Sequence, residues 1–148
     1  MQSGLEGDFI VLKLNNNENV FECIHETVVK YNIKSGLILT GIGMIKDFEL
    51  GYFDPGGYII DHFSEPHELV TMSGSIVFPK NDPKNAIPHI HCTVADHSHH
   101  VFGGHLHKAT VNIINEISIK RLNDLNLKRI KNDQTGLMEL NIESTYTY

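Results

Sequence analysis

PHIHCTVADHSHHVFGGHLH, residues 88–107, gathers seven of the ten histidines of the chain into two strand-like pieces around a polar turn. Residues 87–94 are apolar and β-branched, and the same character resumes over 101–119 after the turn-forming Asp96, His97, Ser98, His99 and His100. Successive side chains of a strand point to opposite faces, so His89 and His91 share one face while Ile90 and Cys92 take the other. His105 follows His91 after thirteen intervening residues, enough for the chain to turn and lay it beside them. Three imidazoles converging from adjacent strands predict an open site for one divalent metal, zinc first. Neutral imidazole is a good zinc ligand, and three ligands leave a coordination position vacant for water or a small molecule. Gly103 and Gly104, just before His105, fit a bulge or a close approach of two backbones. His107 has the strand parity of His105 and is a reserve ligand, whereas His97, His99 and His100 read as solvated turn residues.

Upstream, residues 9–14 predict a strand bounded by the Asn15, Asn16, Asn17 cluster. Asn is a good helix N-cap, Glu18 suits a first turn, and Phe21, Ile24, Val28 and Tyr31 recur on one helical face. A helix over 18–31 packed on a sheet is therefore expected, with Gly36 as its stop. Residues 37–42 and 44–53 predict two strands interrupted at Gly41 and Gly43, and a turn over 54–57 leads to a short strand from Tyr58. The two glycines do not make a phosphate loop, because no Lys-Ser/Thr follows and the next segment is strand-like. Residues 65–77 carry Gly74 where a strand bulge would fit, and the proline-rich stretch 79–88 reads as a loop. Past the histidines, 121–130 reads as a last strand or an irregular segment, 131–136 as a turn, 137–140 as a closing strand, and 141–148 as a polar tail. Glu116, set among isoleucines, and Glu68 are the carboxylates that could serve the histidine site.

With 148 residues, 41% of them hydrophobic and 20% charged, the chain has the size and composition of one globular domain. No apolar run approaches the roughly 20 residues of a membrane span. Residues 1–8 have neither the basic region nor the apolar run of a secretory signal, so a cytoplasmic location is expected. Cys23 and Cys92 form no Cys-x-x-Cys spacing and read as reduced, core-like residues. A net charge of −6 disfavours a broad nucleic-acid footprint, since duplex affinity is dominated by Lys and Arg on phosphates.

The run from 88 to 119 also resembles the core signature of the plants-and-prokaryotes-conserved domain, the PPC domain: His-x-His, a short Ala-Asp turn, Gly-Gly-His-Leu and a strand ending in Glu-Ile. The resemblance implies a single domain over 1–148, its ordered core about 7–141, in an α+β class with a mostly antiparallel sheet and a packed N-terminal helix, similar to the PPC and acetolactate decarboxylase-like fold. It also implies a homotrimer. One departure is Lys13-Leu14 where the family has Arg-Leu, and a point-charge ammonium cannot replace a bidentate guanidinium. Prokaryotic members are described as candidate DNA-binding regulators, yet this sequence carries no Arg-Gly-Arg-Pro hook, so DNA binding is expected to be weak or partner-dependent. The alternatives are a zinc lyase similar to acetolactate decarboxylase, with Glu68 or Glu116 as acid–base partner, and an interaction module that senses a small molecule or metal.

Overall fold

Alternation along the second strand decides which side meets the core: Ile10, Leu12 and Leu14 are fully buried while Phe9, Val11 and Lys13 face out. The computed structural model describes residues 1–54, 56–78 and 85–145. Its elements are β1 (Gln2–Glu6), β2 (Phe9–Asn15), α1 (Val20–Lys30), β3 (Gly36–Asp54), β4 (Gly57–Phe63), β5 (His67–Val77), β6 (Ile87–Ala95), β7 (Val101–Arg121), β8 (Leu125–Lys131) and β9 (Met138–Ser144). The strands of the main sheet run β1-β2-β7-β6-β5-β3-β4, all pairs antiparallel, and β7 also pairs with β3. That extra pairing closes β3, β5, β6 and β7 into a ring, so those strands leave no free edge between them. The β3–β4 hairpin and the β1–β2 ribbon extend from the ring, and β8 and β9 form a separate hairpin. The expectation of a mostly antiparallel sheet with an N-terminal helix is met.

The helix forms where the asparagine cluster ends. Asn19 is the N-cap, its side chain accepting from the Phe21 and Glu22 amides at 2.9 and 3.2 Å, which satisfies two of the helix's orphan donors. Glu18, expected inside the first turn, instead lies outside it and accepts from the Asn15 amide at 2.7 Å. The helix buries Val20, Cys23, Ile24, Thr27 and Val28, and each fully buried aliphatic side chain is worth roughly 1.5–3 kcal/mol. Gly36 is not its stop. The chain leaves the helix at Tyr31, and Asn32 takes the left-handed conformation at φ 48°, a role asparagine fills more readily than other non-glycine residues.

Four strands also differ from the sequence expectation. The two strands foreseen over 37–53 are one, β3, whose register against β7 shifts at four places rather than breaking. The shift in β5 lies between Leu69 and Thr71, not at Gly74. Strand β1, before Phe9, had no periodic signal, and β9 runs on to Ser144 into the expected tail. The loop foreseen over 79–88 falls outside the described residues for 79–84, and Ile87 and Pro88 are already in β6.

Gly43 marks a close crossing of β3 over β7. It has φ 137°, and a Cβ there would lie 2.2 Å from the Ile114 carbonyl oxygen and 2.3 Å from Asn115 Oδ1. Asn115, fully buried, uses that oxygen to accept from the Met44 amide at 2.8 Å. Gly43→Ala therefore adds both a clash and a disfavoured backbone angle, and is expected to cost on the order of 2–4 kcal/mol in urea unfolding. A loss within experimental error of zero would show that the crossing is looser than this geometry implies.

Candidate metal centre

Strands β6 and β7 run antiparallel with His91 directly opposite His105, and β5 places Ser75 opposite His89 on the other side. Ile90, Cys92 and Leu106, the residues between the histidines, are buried in the core, so the three imidazoles stand on the outer face of the ring. One ring nitrogen from each of His89, His91 and His105 lies within 4.8 Å of the others, the only such group of three metal-ligating side chains among the described residues. His89 Nε2 and His91 Nε2 are 3.2 Å apart. Two nitrogens bound to one tetrahedral zinc at 2.0–2.1 Å would stand about 3.3 Å apart, and the His89–His91 pair already has that spacing. His105 Nδ1 is buried with no hydrogen-bond partner, a polar atom that the protein itself leaves unsatisfied. The donor set therefore fits a divalent metal.

Electrostatics favours the ligating form. Burial, followed by the neighbouring His107, His89 and His91 rings and the Arg129 guanidinium, pushes His105 down to about 4 from 6.5. Burial, then Arg129 and His91, also lowers His89. Both shifts favour the neutral imidazole, the form that can ligate a metal. Cys92 contributes no thiolate, because burial drives its thiol up to about 12.

The strand parity of His107 does bring it alongside His105, ring centroids 4.4 Å apart, but it lies outside the group of three, and its buried Nε2 has no partner. Its ring occupies the space beside Gly51, where a Cβ would sit 2.4 Å from that nitrogen. Gly103 permits a close approach rather than a bulge: the β6–β7 register is unbroken, and a Cβ would lie 2.2 Å from the Cys92 carbonyl oxygen. Gly104 faces the Gly51 carbonyl. The two carboxylates are not gathered in. Glu68 pairs with Ala95, five residues or roughly 16 Å along β5 from the position opposite His91. Glu116 pairs with Lys13 and Ile42, eleven residues along β7 from His105. In the turn, Asp96 accepts from the Ser98 and His100 amides at 2.8 and 3.0 Å, and His97, His99 and His100 are exposed.

Two neighbours escaped sequence reasoning. Arg129, from β8, donates through Nη2 to His89 Nδ1 at 2.6 Å and to Ser75 Oγ at 2.9 Å. Tyr58, from β4, packs its ring 5.4 Å from that of His105 and 5.2 Å from that of His107. An arginine between the apolar Leu127 and Ile130 was the available signal for the first, since a half-buried cation needs partners.

The geometry defines a class: a ring of antiparallel strands carrying an open, all-histidine site on its outer wall. The family model for the Plants and Prokaryotes Conserved (PCC) domain matches residues 1–123, and the chain belongs to that family. Among solved structures it is similar to a candidate DNA-binding protein from Bacteroides thetaiotaomicron, with 25% identity, 95% of this chain and 96% of that one covered, and a TM-score of 0.84. It is also similar to a metal-containing protein from Archaeoglobus fulgidus, with 25% identity, coverage of 94% and 97%, and a TM-score of 0.78. A plant- and prokaryote-conserved protein from Pyrococcus horikoshii, at 20% identity, 93% coverage of both chains and a TM-score of 0.76, shares the fold. Comparison with curated proteins gives no match.

The lowered His105 sets a pH dependence. Between about 4 and 6.5 the unfolded chain holds a proton on this ring that the folded chain does not, so its contribution is complete above 6.5 and is lost as pH falls toward 4. Thermal midpoints of the metal-free protein should fall from pH 7 to pH 5, and fall less for His105→Gln. Equal slopes for the two proteins would show that His105 is not held neutral by the fold.

Proposed function

We propose that this protein is a metal-binding member of the PCC family in which His89, His91 and His105 hold one divalent cation, zinc first, leaving a position open to water or a small-molecule ligand. The observation that carries this is the convergence of three ring nitrogens within 4.8 Å, two of them at the spacing of ligands on one zinc. The metal-containing archaeal neighbour supports it. Imidazole suits nickel, copper and iron as well, so the donor set selects the class of metal more than its identity. The role is one of binding and regulation. Neighbours are described as candidate DNA-binding proteins, and with a net charge of −6 any contact with DNA is weak or runs through a partner. A zinc lyase similar to acetolactate decarboxylase is less well supported, since Glu68 and Glu116 lie away from the three rings.

Elemental analysis of protein purified without an affinity tag should find close to one equivalent of metal per chain. His105→Ala should fall to near background with an unchanged circular dichroism spectrum, because the ligands stand on a sheet whose core does not include them. A full equivalent of metal in that variant, or none in the parent after zinc addition, overturns the assignment.

We further propose a homotrimer. Tyr52, Ile59 and Ile60 on the β3–β4 hairpin and Phe9 and Val11 on β2 are each half or more exposed in the single chain, apolar area that an assembly would cover. Light scattering is expected to give about 50 kDa, three times the chain's 16.7 kDa. A stable monomer at micromolar concentration would remove the proposal.

A further inference from the structure

Arg129 reaches the site from the separate β8–β9 hairpin. Besides its bonds to His89 and Ser75, it donates through Nη1 to the Met138 carbonyl at 3.3 Å on the neighbouring strand. A guanidinium keeps all its protons in a protein and can only donate. His89 Nδ1, 2.6 Å from Arg129 Nη2, must therefore accept and carries no proton. The neutral ring then has its proton on Nε2, and that N–H donates to His91 Nε2 at 3.2 Å. A protonated ring nitrogen has no lone pair to give a metal. For His89 to ligate through Nε2, its proton must move to Nδ1, and two donors would then face each other at the Arg129 contact. For His89 to ligate through Nδ1, the guanidinium must vacate that nitrogen outright. Either route breaks the same bond.

We propose that metal ligation by His89 and the Arg129–His89 hydrogen bond exclude each other, so that loading the site removes the tie of Arg129 to β6, leaves its bond to Ser75 on β5, and loosens the far half of the β8–β9 hairpin against the wall of the ring. This rests on the reading of His89, His91 and His105 as the metal ligands. The ring keeps its net charge: one proton leaves Nε2 to solvent and one is taken up at Nδ1. The rest of the hairpin's attachment makes the release local. Near its start the hairpin is pinned by buried Leu127, whose amide donates to Ser35 Oγ at 2.9 Å. Beside Arg129, a cleft bordered by Val77, Phe78, Ile87, Lys128, Ile130, Met138 and Glu143 lies between hairpin and sheet. Arg129 is thus a positioning residue that, in the metal-free protein, fixes the tautomer of His89 and clamps β8 to β5 and β6. Metal occupancy would be read out as the position of an exposed hairpin, which a partner can sense.

Nitrogen-15 spectra of the imidazoles in the parent protein test this directly. Without metal, His89 is expected as the Nε2–H tautomer, and with one equivalent of zinc as the Nδ1–H tautomer, with faster amide hydrogen exchange at residues 129–131 and 138–140. A metal-free His89 already protonated at Nδ1, or exchange in the hairpin that slows on zinc addition, overturns the proposal. In parallel, Arg129→Met should bind zinc at least roughly tenfold more tightly by competition with a chromogenic chelator, because the competing bond is gone. Equal or weaker binding by Arg129→Met would mean that the arginine supports the ligand rather than competing for it, and would defeat the inference while leaving the metal site standing. A parent chain that takes up no zinc defeats both.

Discussion

The pairing of β7 with three strands at once is the constraint on which the rest of the molecule depends. Its 21 residues bond to β2, to β6 and to β3, and the contact with β3 turns an open sheet into a ring. One long strand can serve three partners only if it bends and its neighbours change register along it, which is why β3 carries four register shifts and a left-handed residue, Asp47, at φ 46°. The closure also demands that two backbones pass closer than side chains allow, and Gly43 with the buried Asn115 carboxamide occupies that point. Ile113, β-branched yet at φ 66°, lies on the same stretch of β7 and marks the bend as strained.

The histidine site is a consequence of that closure. His105 stands opposite His91 on one side and Gly51 on the other, and a slip of one residue in either pairing would turn its ring into the core. The ring of strands also makes a rigid outer wall, so the three imidazoles are presented on paired backbone rather than on a loop. Half-burial then does the chemical work: it disfavours the imidazolium form, while outward placement leaves one side of each ring approachable. Arg129 adds a permanent cation beside the imidazoles and ties His89 to β8 through a hydrogen bond.

Much of this was legible in residues 88–107. The two-residue period that puts His89 and His91 on one face is local, and so is the apolar alternation that buries Ile90, Cys92 and Leu106 beside the histidines. The turn chemistry of Asp96 through His100 is local as well, and with it the return of β7 beside β6 that brings His105 into place. Helix α1 followed from a cap and a spacing of three and four, although the cap is Asn19 rather than the cluster before it.

What tertiary structure alone decided is long-range. Whether Gly41 and Gly43 break a strand or let it cross another depends on what lies opposite, and that is Asn115, 72 positions away from Gly43. The carboxylates Glu68 and Glu116 were equally good neighbours for the site in sequence, and the register carries both along their strands away from it. Arg129 and Tyr58 come from hairpins whose docking has no periodic signature, so nothing short of the folded chain could set a guanidinium 2.6 Å from His89 or a phenol ring against His105. Side-chain direction within a strand is fixed by backbone geometry repeating every two residues, and the sequence therefore states it outright. The choice of partner strand is fixed by the free energy of burying the whole sheet at once, and only the folded structure expresses that.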